Sequence, residues 1–152
     1  MANITLLEDK LSEHFWLHEF VCHDGKNSMK LTPEILFFIT VLLEAFREWY
    51  GRPIPINSGF RTAIYNAALK LASPTSTHLL GLAVDIPFPR RDHDGSIMAG
   101  ARKRQFLENV RTKWYSILKE HELTGGVGFY DWGFHLDAGN RTEQMRFFDY
   151  RS

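Results

Sequence analysis

His78 and Asp85 stand seven residues apart in Ser76-Thr77-His78-Leu79-Leu80-Gly81-Leu82-Ala83-Val84-Asp85-Ile86, and a second imidazole follows in Gly133-Phe134-His135-Leu136-Asp137. Asp85 lies inside an apolar, β-prone run, where an unpaired carboxylate is expensive to bury. A bound cation answers that cost. Two histidines and one aspartate form the three-donor set that catalytic zinc uses, leaving a fourth position for water. Taken singly, each of the three reads equally well as a satisfied polar residue of a core. The set together points to a zinc hydrolase.

Other candidate donors read differently. His14 and His18 are four apart, but Phe15, Trp16, Leu17 and Phe20 around them argue for core packing. Cys22-His23-Asp24 offers half a metal site with no second cysteine to complete it, and reads as a structured surface loop. Asp92-His93-Asp94-Gly95 resembles the start of a calcium loop without its further ligands, and reads as a solvated turn bordering a cleft.

The elements that must position the donors are legible in part. A long helix begins after Thr32 as N-cap, with Pro33 in the first helical position and Glu34 in the first turn. It carries Ile35, Ile39, Leu42, Leu43 and Phe46 on one stripe and stops near Gly51. Residues 54–57 read as a short edge strand with prolines at its margins, and 62–72 as a second helix ending at Ser73-Pro74. Residues 82–86 read as a strand, and 87–95 as a charged loop. A further helix covers 101–120, with Phe106, Val110, Trp114 and Ile117 at helical spacing.

Residues 126–130 and 134–137 read as an antiparallel hairpin. Alternation puts Ala83 and Asp85 on one face of their strand, and groups Gly133, His135 and Asp137 on one face of the last. The expected fold is α+β, a small, mostly antiparallel sheet with helices packed on it.

Length and composition bound the rest. The 152 residues suit a single domain spanning 1–152. Lys+Arg and Asp+Glu number 18 each, and that balance argues against a partner of nucleic acid, which favours a basic excess. One cysteine excludes an intramolecular disulfide framework. The apolar run 35–43 is too short to span a bilayer. No basic-then-apolar leader opens the chain, so the expectation is cytoplasmic synthesis without a signal peptide, and a monomer.

Ser58-Gly59-Phe60-Arg61, then Ser76-x-His78-x-x-Gly81-x-Ala83-x-Asp85-Ile86, then Gly125-Gly126-Val127-Gly128-x-Tyr130, then Phe134-His135-x-Asp137-x-Gly139 occur in that order. Together they resemble the zinc D-alanyl-D-alanine metallopeptidases of the lysostaphin, D-Ala-D-Ala peptidase and hedgehog group. Leu11-Ser12-x-His14-Phe15-x-Leu17-x-Glu19-Phe20 and Leu31-Thr32-Pro33 are similar to its small carboxypeptidase-like branch, so the resemblance runs from about 11 to about 140. It implies a D-Ala-D-Ala-peptidase-like fold, Zn2+ held by His78, Asp85 and His135, and a peptidoglycan stem peptide as substrate. It also implies that Arg61 grips a substrate carboxylate or carbonyl, with Ser58 and Asn66 trimming the same pocket and Trp132 walling the groove.

The chain departs from its relatives at the general base. They carry Glu or Asp three residues before the last ligand, or His two before, where this chain has Trp132 and Gly133. Asp131 is the nearest upstream acid, expected to swing over the metal face if the turn bulges at Gly133. Asp137 shares the His135 face and is expected either to take the base role or to orient a ligand. Two classes therefore remain: a cell-wall zinc peptidase, carboxypeptidase or endopeptidase, of the kind a bacterial virus uses for lysis; and a peptide-binding or structural module that keeps the zinc scaffold with impaired acid–base chemistry.

Overall fold

Thr32 starts the first helix as its sequence implies: its hydroxyl accepts from the Ile35 N–H at 3.2 Å, and Pro33 needs no partner at the first helical position. In the computed structural model, which describes residues 9–26, 29–69, 72–73, 75–139 and 143–152, this helix runs through three consecutive parts. They are α1 (Pro33–Phe37), a π-helical stretch (Phe38–Leu43) and α2 (Glu44–Tyr50). The widened turn changes the register of the apolar stripe, and Phe38, Ile39, Leu42 and Leu43 are all buried. Gly51, at φ 73°, ends it in the left-handed region.

α3 (Ala63–Ala67) is capped by Thr62, whose hydroxyl accepts from the Tyr65 N–H. It is shorter than the expected 62–72, closing in a turn at 68–69; residues 70, 71 and 74, on which that expectation also fell, lie outside the described residues, as do 1–8. α4 (Gly100–Glu120) buries Leu107, Val110, Trp114, Ile117 and Leu118, so Leu107 takes the core position expected of Phe106, which is partly buried against it.

Four strands, β1 (Ala83–Pro87), β2 (Gly126–Phe129), β3 (Gly133–Asp137) and β4 (Arg146–Asp149), form one mixed sheet in the order β1-β3-β2-β4. β3 pairs antiparallel with both β1 and β2, and β4 adds parallel to β2. The α+β reading is correct. Residues 54–57 are not a strand, however. Pro53 and Pro55 have no N–H for a ladder, so contact with β1 shrinks to one bridge, Ser58 with Asp85.

Val84, Ile86, Val127, Phe129, Phe134 and Leu136 join the apolar core with the helices. Phe46 stands at its centre, edge-on to Trp114 at 6.1 Å and within 6.2 Å of Phe134. Such pairs add roughly 0.5–1.5 kcal/mol each beyond their burial. Alternation then commits Asp85, His135 and Asp137 to the opposite face, which residues 57–61 and 77–81 roof through Ser58–Asp85 and the Arg61 N–H to His78 C=O bond.

Candidate metal centre

Register brings the donors together. Asp85 pairs with His135, and Ala83 with Asp137, across the β1–β3 ladder; Gly128 of β2 faces His135 from the other side. A Cβ on Gly128 would sit 2.0 Å from the Phe148 ring, so only glycine lets Phe148 lie against His135, their centroids 5.2 Å apart.

His78 comes from the roof. It sits on a 3-10 turn (Thr77–Leu80) capped by Ser76 and closed by Gly81 at φ 72°, where a Cβ would also meet Ile35 Cδ1 at 2.7 Å. The His78 and His135 rings meet edge to face at 5.1 Å.

His78, Asp85 and His135 each offer a donor atom within 4.8 Å of the others, the one such group among the described residues. All three are buried. His78 Nδ1 lies 2.6 Å from the Gly59 carbonyl, which can only accept, so Nδ1 carries the proton. Nε2 is therefore a bare lone pair: buried, without a hydrogen-bond partner, and 3.2 Å from Asp85 Oδ2. A lone pair facing a carboxylate is repulsive unless a cation stands between them. Burial holds the His78 pKa down despite Asp85, which keeps the ring neutral and ready to ligate.

His135 is held at both nitrogens. Nε2 lies 2.8 Å from Asp137 Oδ2, and Nδ1 3.0 Å from Asp85 Oδ1. Burial opposes its charge, but the two carboxylates outweigh it and raise its pKa to about 9. Burial likewise works against ionised Asp85, yet His78 and His135 hold its carboxyl well below the usual range. With Asp137 fixing Nε2–H, Nδ1 is the nitrogen left for a metal, the arrangement in which an outer carboxylate orients a ligating imidazole.

Arg61 does not stand free for substrate. Its guanidinium donates to Asp85 Oδ2 at 3.1 Å, Ser58 Oγ at 3.2 Å and Asn66 Oδ1 at 3.3 Å. Asn66 is in turn anchored on the Ser73 carbonyl. Three of five N–H groups are thus engaged, leaving two for a ligand. Trp132, 47 % exposed, stacks on Tyr130 at 4.9 Å, and Tyr130 stacks on Tyr150. Burial, then the Asp85 charge, push the Tyr130 pKa up, so its hydroxyl stays a neutral donor.

Asp137 belongs to the cluster, fully buried, and Asp131 does not join it. Asp131 is exposed in the β2–β3 turn, and its carboxylate accepts from Ser152 N–H and Oγ–H (2.8 Å). The expected bulge at Gly133 is absent: Gly133 is a β3 residue outside the positive-φ region, small because a Cβ would lie 2.2 Å from Ile86 O.

His14 and His18 are exposed and paired with Glu44 and Asp9 rather than packed in the core. Cys22 is buried, its sulfur accepting from the Thr62 N–H. The 92–95 segment is a turn tied to Arg102, bordering a cavity of about 660 Å³ with Trp49 and Phe106, away from the three donors.

Sequence reasoning missed Arg146, Phe148 and the Gly59 carbonyl. Arg146 Nη2 donates to Asp137 Oδ1 at 2.5 Å. No local spacing ties residue 146 to 137; only the β2–β4 pairing does.

No curated protein matches the chain. The profile of the peptidase M15 family matches residues 13–118, which include Arg61, His78 and Asp85 and stop before His135. With well over half of its length matched, and a second imidazole brought onto His78 and Asp85 by β3, the chain belongs to the peptidase M15 family.

Proposed function

We propose that the protein is a zinc metallopeptidase that hydrolyses peptidoglycan stem peptides at a bond beside a D-alanine or a similar D-centre. The observation that carries the metal part is the bare Nε2 of His78 facing Asp85. Family membership supports the peptidase part, and the resemblance of the motifs supports the substrate class. His78 Nε2, Asp85 and His135 Nδ1 would hold the ion. Zinc there would lower the pKa of a bound water and polarise the scissile carbonyl.

The chain's own residues do the rest. Asp137 keeps the proton on His135 Nε2 and so presents Nδ1. Arg61, neighboured by Ser58 and Asn66, offers its two remaining N–H groups to the substrate carboxylate or carbonyl. Trp132, on its Tyr130 support, walls the groove. Such an enzyme acts on the cell wall once delivered to it, as a lysis enzyme of a bacterial virus does, and one domain with one site suffices as a monomer.

The test is incubation with a stem peptide ending in D-Ala-D-Ala and with cross-linked muropeptides, before and after chelation and zinc return. Chelator-sensitive release of D-alanine, or cleavage of the cross-link, is the expected result and also decides between carboxypeptidase and endopeptidase. Zinc-dependent binding without turnover favours the second reading, a peptide-binding module, to which Trp132 in the place of an acid and the Ser152-bound Asp131 both lend weight.

The same assay separates the two aspartates. Asp137→Asn is expected to weaken zinc binding about 10–100-fold, the usual worth of a carboxylate behind a ligating histidine. Asp131→Asn is expected to keep zinc and stay close to wild-type activity, because the Asp131 carboxylate is engaged by Ser152. A loss of about 10²–10⁴ in Asp131→Asn with zinc retained would instead make Asp131 the general base.

A further inference from the structure

We infer that Arg146 is a positioning residue for this site: it sets Asp137, and through Asp137 the ring of His135. The inference rests on the zinc reading above. β4 places Arg146 beside Gly126 of β2, and Gly126 in turn faces Asp137 of β3, so the three lie in one row across the sheet. Gly126 keeps that row open. A Cβ there would stand 2.5 Å from Asp137 Oδ2 and 3.2 Å from Arg146 Nη1.

Through the gap, Arg146 Nη2 donates to Asp137 Oδ1 at 2.5 Å and to the Gly139 carbonyl at 2.7 Å. The Gly139 N–H donates to the same Oδ1 at 3.0 Å. Oδ1 is thereby fully used, and Oδ2 is left to His135 Nε2. Arg146 is itself held by its main chain: its N–H donates to the Gly125 carbonyl, and its own carbonyl accepts from the Tyr115 hydroxyl at 2.6 Å.

The charges give the arrangement its purpose. His135 lies between two buried carboxylates, Asp85 and Asp137, and each has an arginine of its own: Arg61 on Asp85 and Arg146 on Asp137. A fully buried carboxylate without its cation turns toward any donor it can reach. Loss of Arg146 leaves Asp137 Oδ1 with the Gly139 N–H alone, so the carboxylate is held less firmly and His135 Nδ1 with it. A lysine restores the charge but not the planar guanidinium that aims one nitrogen, Nη2, at both Asp137 Oδ1 and the Gly139 carbonyl.

The test compares Arg146→Met, Arg146→Lys and Gly126→Ala with the wild-type protein. Zinc affinity is read by chelator competition, coordination geometry by the visible absorption of the cobalt(II) form, and catalysis as separate kcat and KM. Arg146→Met is expected to raise the zinc Kd about 10–100-fold. It should also shift the cobalt bands and lower kcat with KM little changed.

Arg146→Lys should recover part of the affinity. Gly126→Ala, which displaces the carboxylate with every charge kept, should reproduce the methionine phenotype. A merely structural Arg146 would lower the melting temperature and leave the cobalt bands in place. Wild-type Kd and cobalt spectrum in folded Arg146→Met overturn the inference; if that variant does not fold, the same result in Gly126→Ala does so. A wild-type protein that takes up no zinc removes the metallopeptidase reading, and this inference with it.

Discussion

His78→Ala and His135→Ala are each expected to abolish stoichiometric zinc binding and to cut peptide hydrolysis by about 10³-fold or more. Charge stabilisation by a catalytic metal is worth several kcal/mol, and each 1.36 kcal/mol is a factor of ten. The two variants should differ in stability. His78→Ala loses one hydrogen bond, to the Gly59 carbonyl, worth about 1 kcal/mol net.

His135→Ala removes the cation that separates Asp85 from Asp137, and two buried carboxylates are left facing one gap. It should therefore be the less stable of the two in metal-free form. Helical content should survive in both, because the core packs on the other face of the sheet through Val84, Ile86, Phe134 and Leu136. Metal analysis and circular dichroism on the purified variants check this. Full zinc occupancy in both would remove the His78–Asp85–His135 assignment.

Arg61→Ala is expected to depress turnover of a D-Ala-containing peptide about a hundredfold or more, the equivalent of roughly 3 kcal/mol for a lost charged contact. Zinc should still bind stoichiometrically, since Asp85, His78 and His135 keep their donor atoms, though less tightly because Asp85 loses its guanidinium partner. The structure sharpens the expectation. Arg61 already binds Asp85, Ser58 and Asn66, so its guanidinium is preorganised and a substrate group meets it without reordering.

Arg61→Lys should lose nearly as much, because a single ammonium cannot reach all three partners and the substrate together. Steady-state kinetics with both variants, alongside zinc analysis, measure the effect. Wild-type kcat and KM in Arg61→Ala would take the residue out of the site.

Local pattern settled a good deal. Thr32-Pro33-Glu34 and Gly51 bounded the first helix because caps and terminators act over a single turn. Alternation in 82–86 set Asp85 apart from Leu82, Val84 and Ile86, and in 133–137 grouped His135 with Asp137, since the strand period of two needs no partner to be read within one strand. Where local chemistry and pairing compete, pairing won. Residues 54–57 had the look of an edge strand, but two prolines left too few N–H groups to hold a ladder. His14 and His18 sat among aromatics, yet carboxylates distant in sequence or across a turn drew them to the surface.

The chain by itself pointed to the candidate donors, their side of each strand and the helices that supply the core, because each depends on a local pattern of residues. Only the tertiary structure decided which acid lies beside them. Asp131 and Asp137 are both close to His135 along the chain, and the family resemblance, which implies an acid upstream of the last ligand, favoured Asp131. Ser152 holds Asp131 away, while β4, a four-residue strand pairing in parallel with β2, brought Arg146 through the gap at Gly126 to Asp137. That choice rests on pairing between residues 126, 137 and 146, and register across a sheet is a property of the folded partners rather than of any one segment.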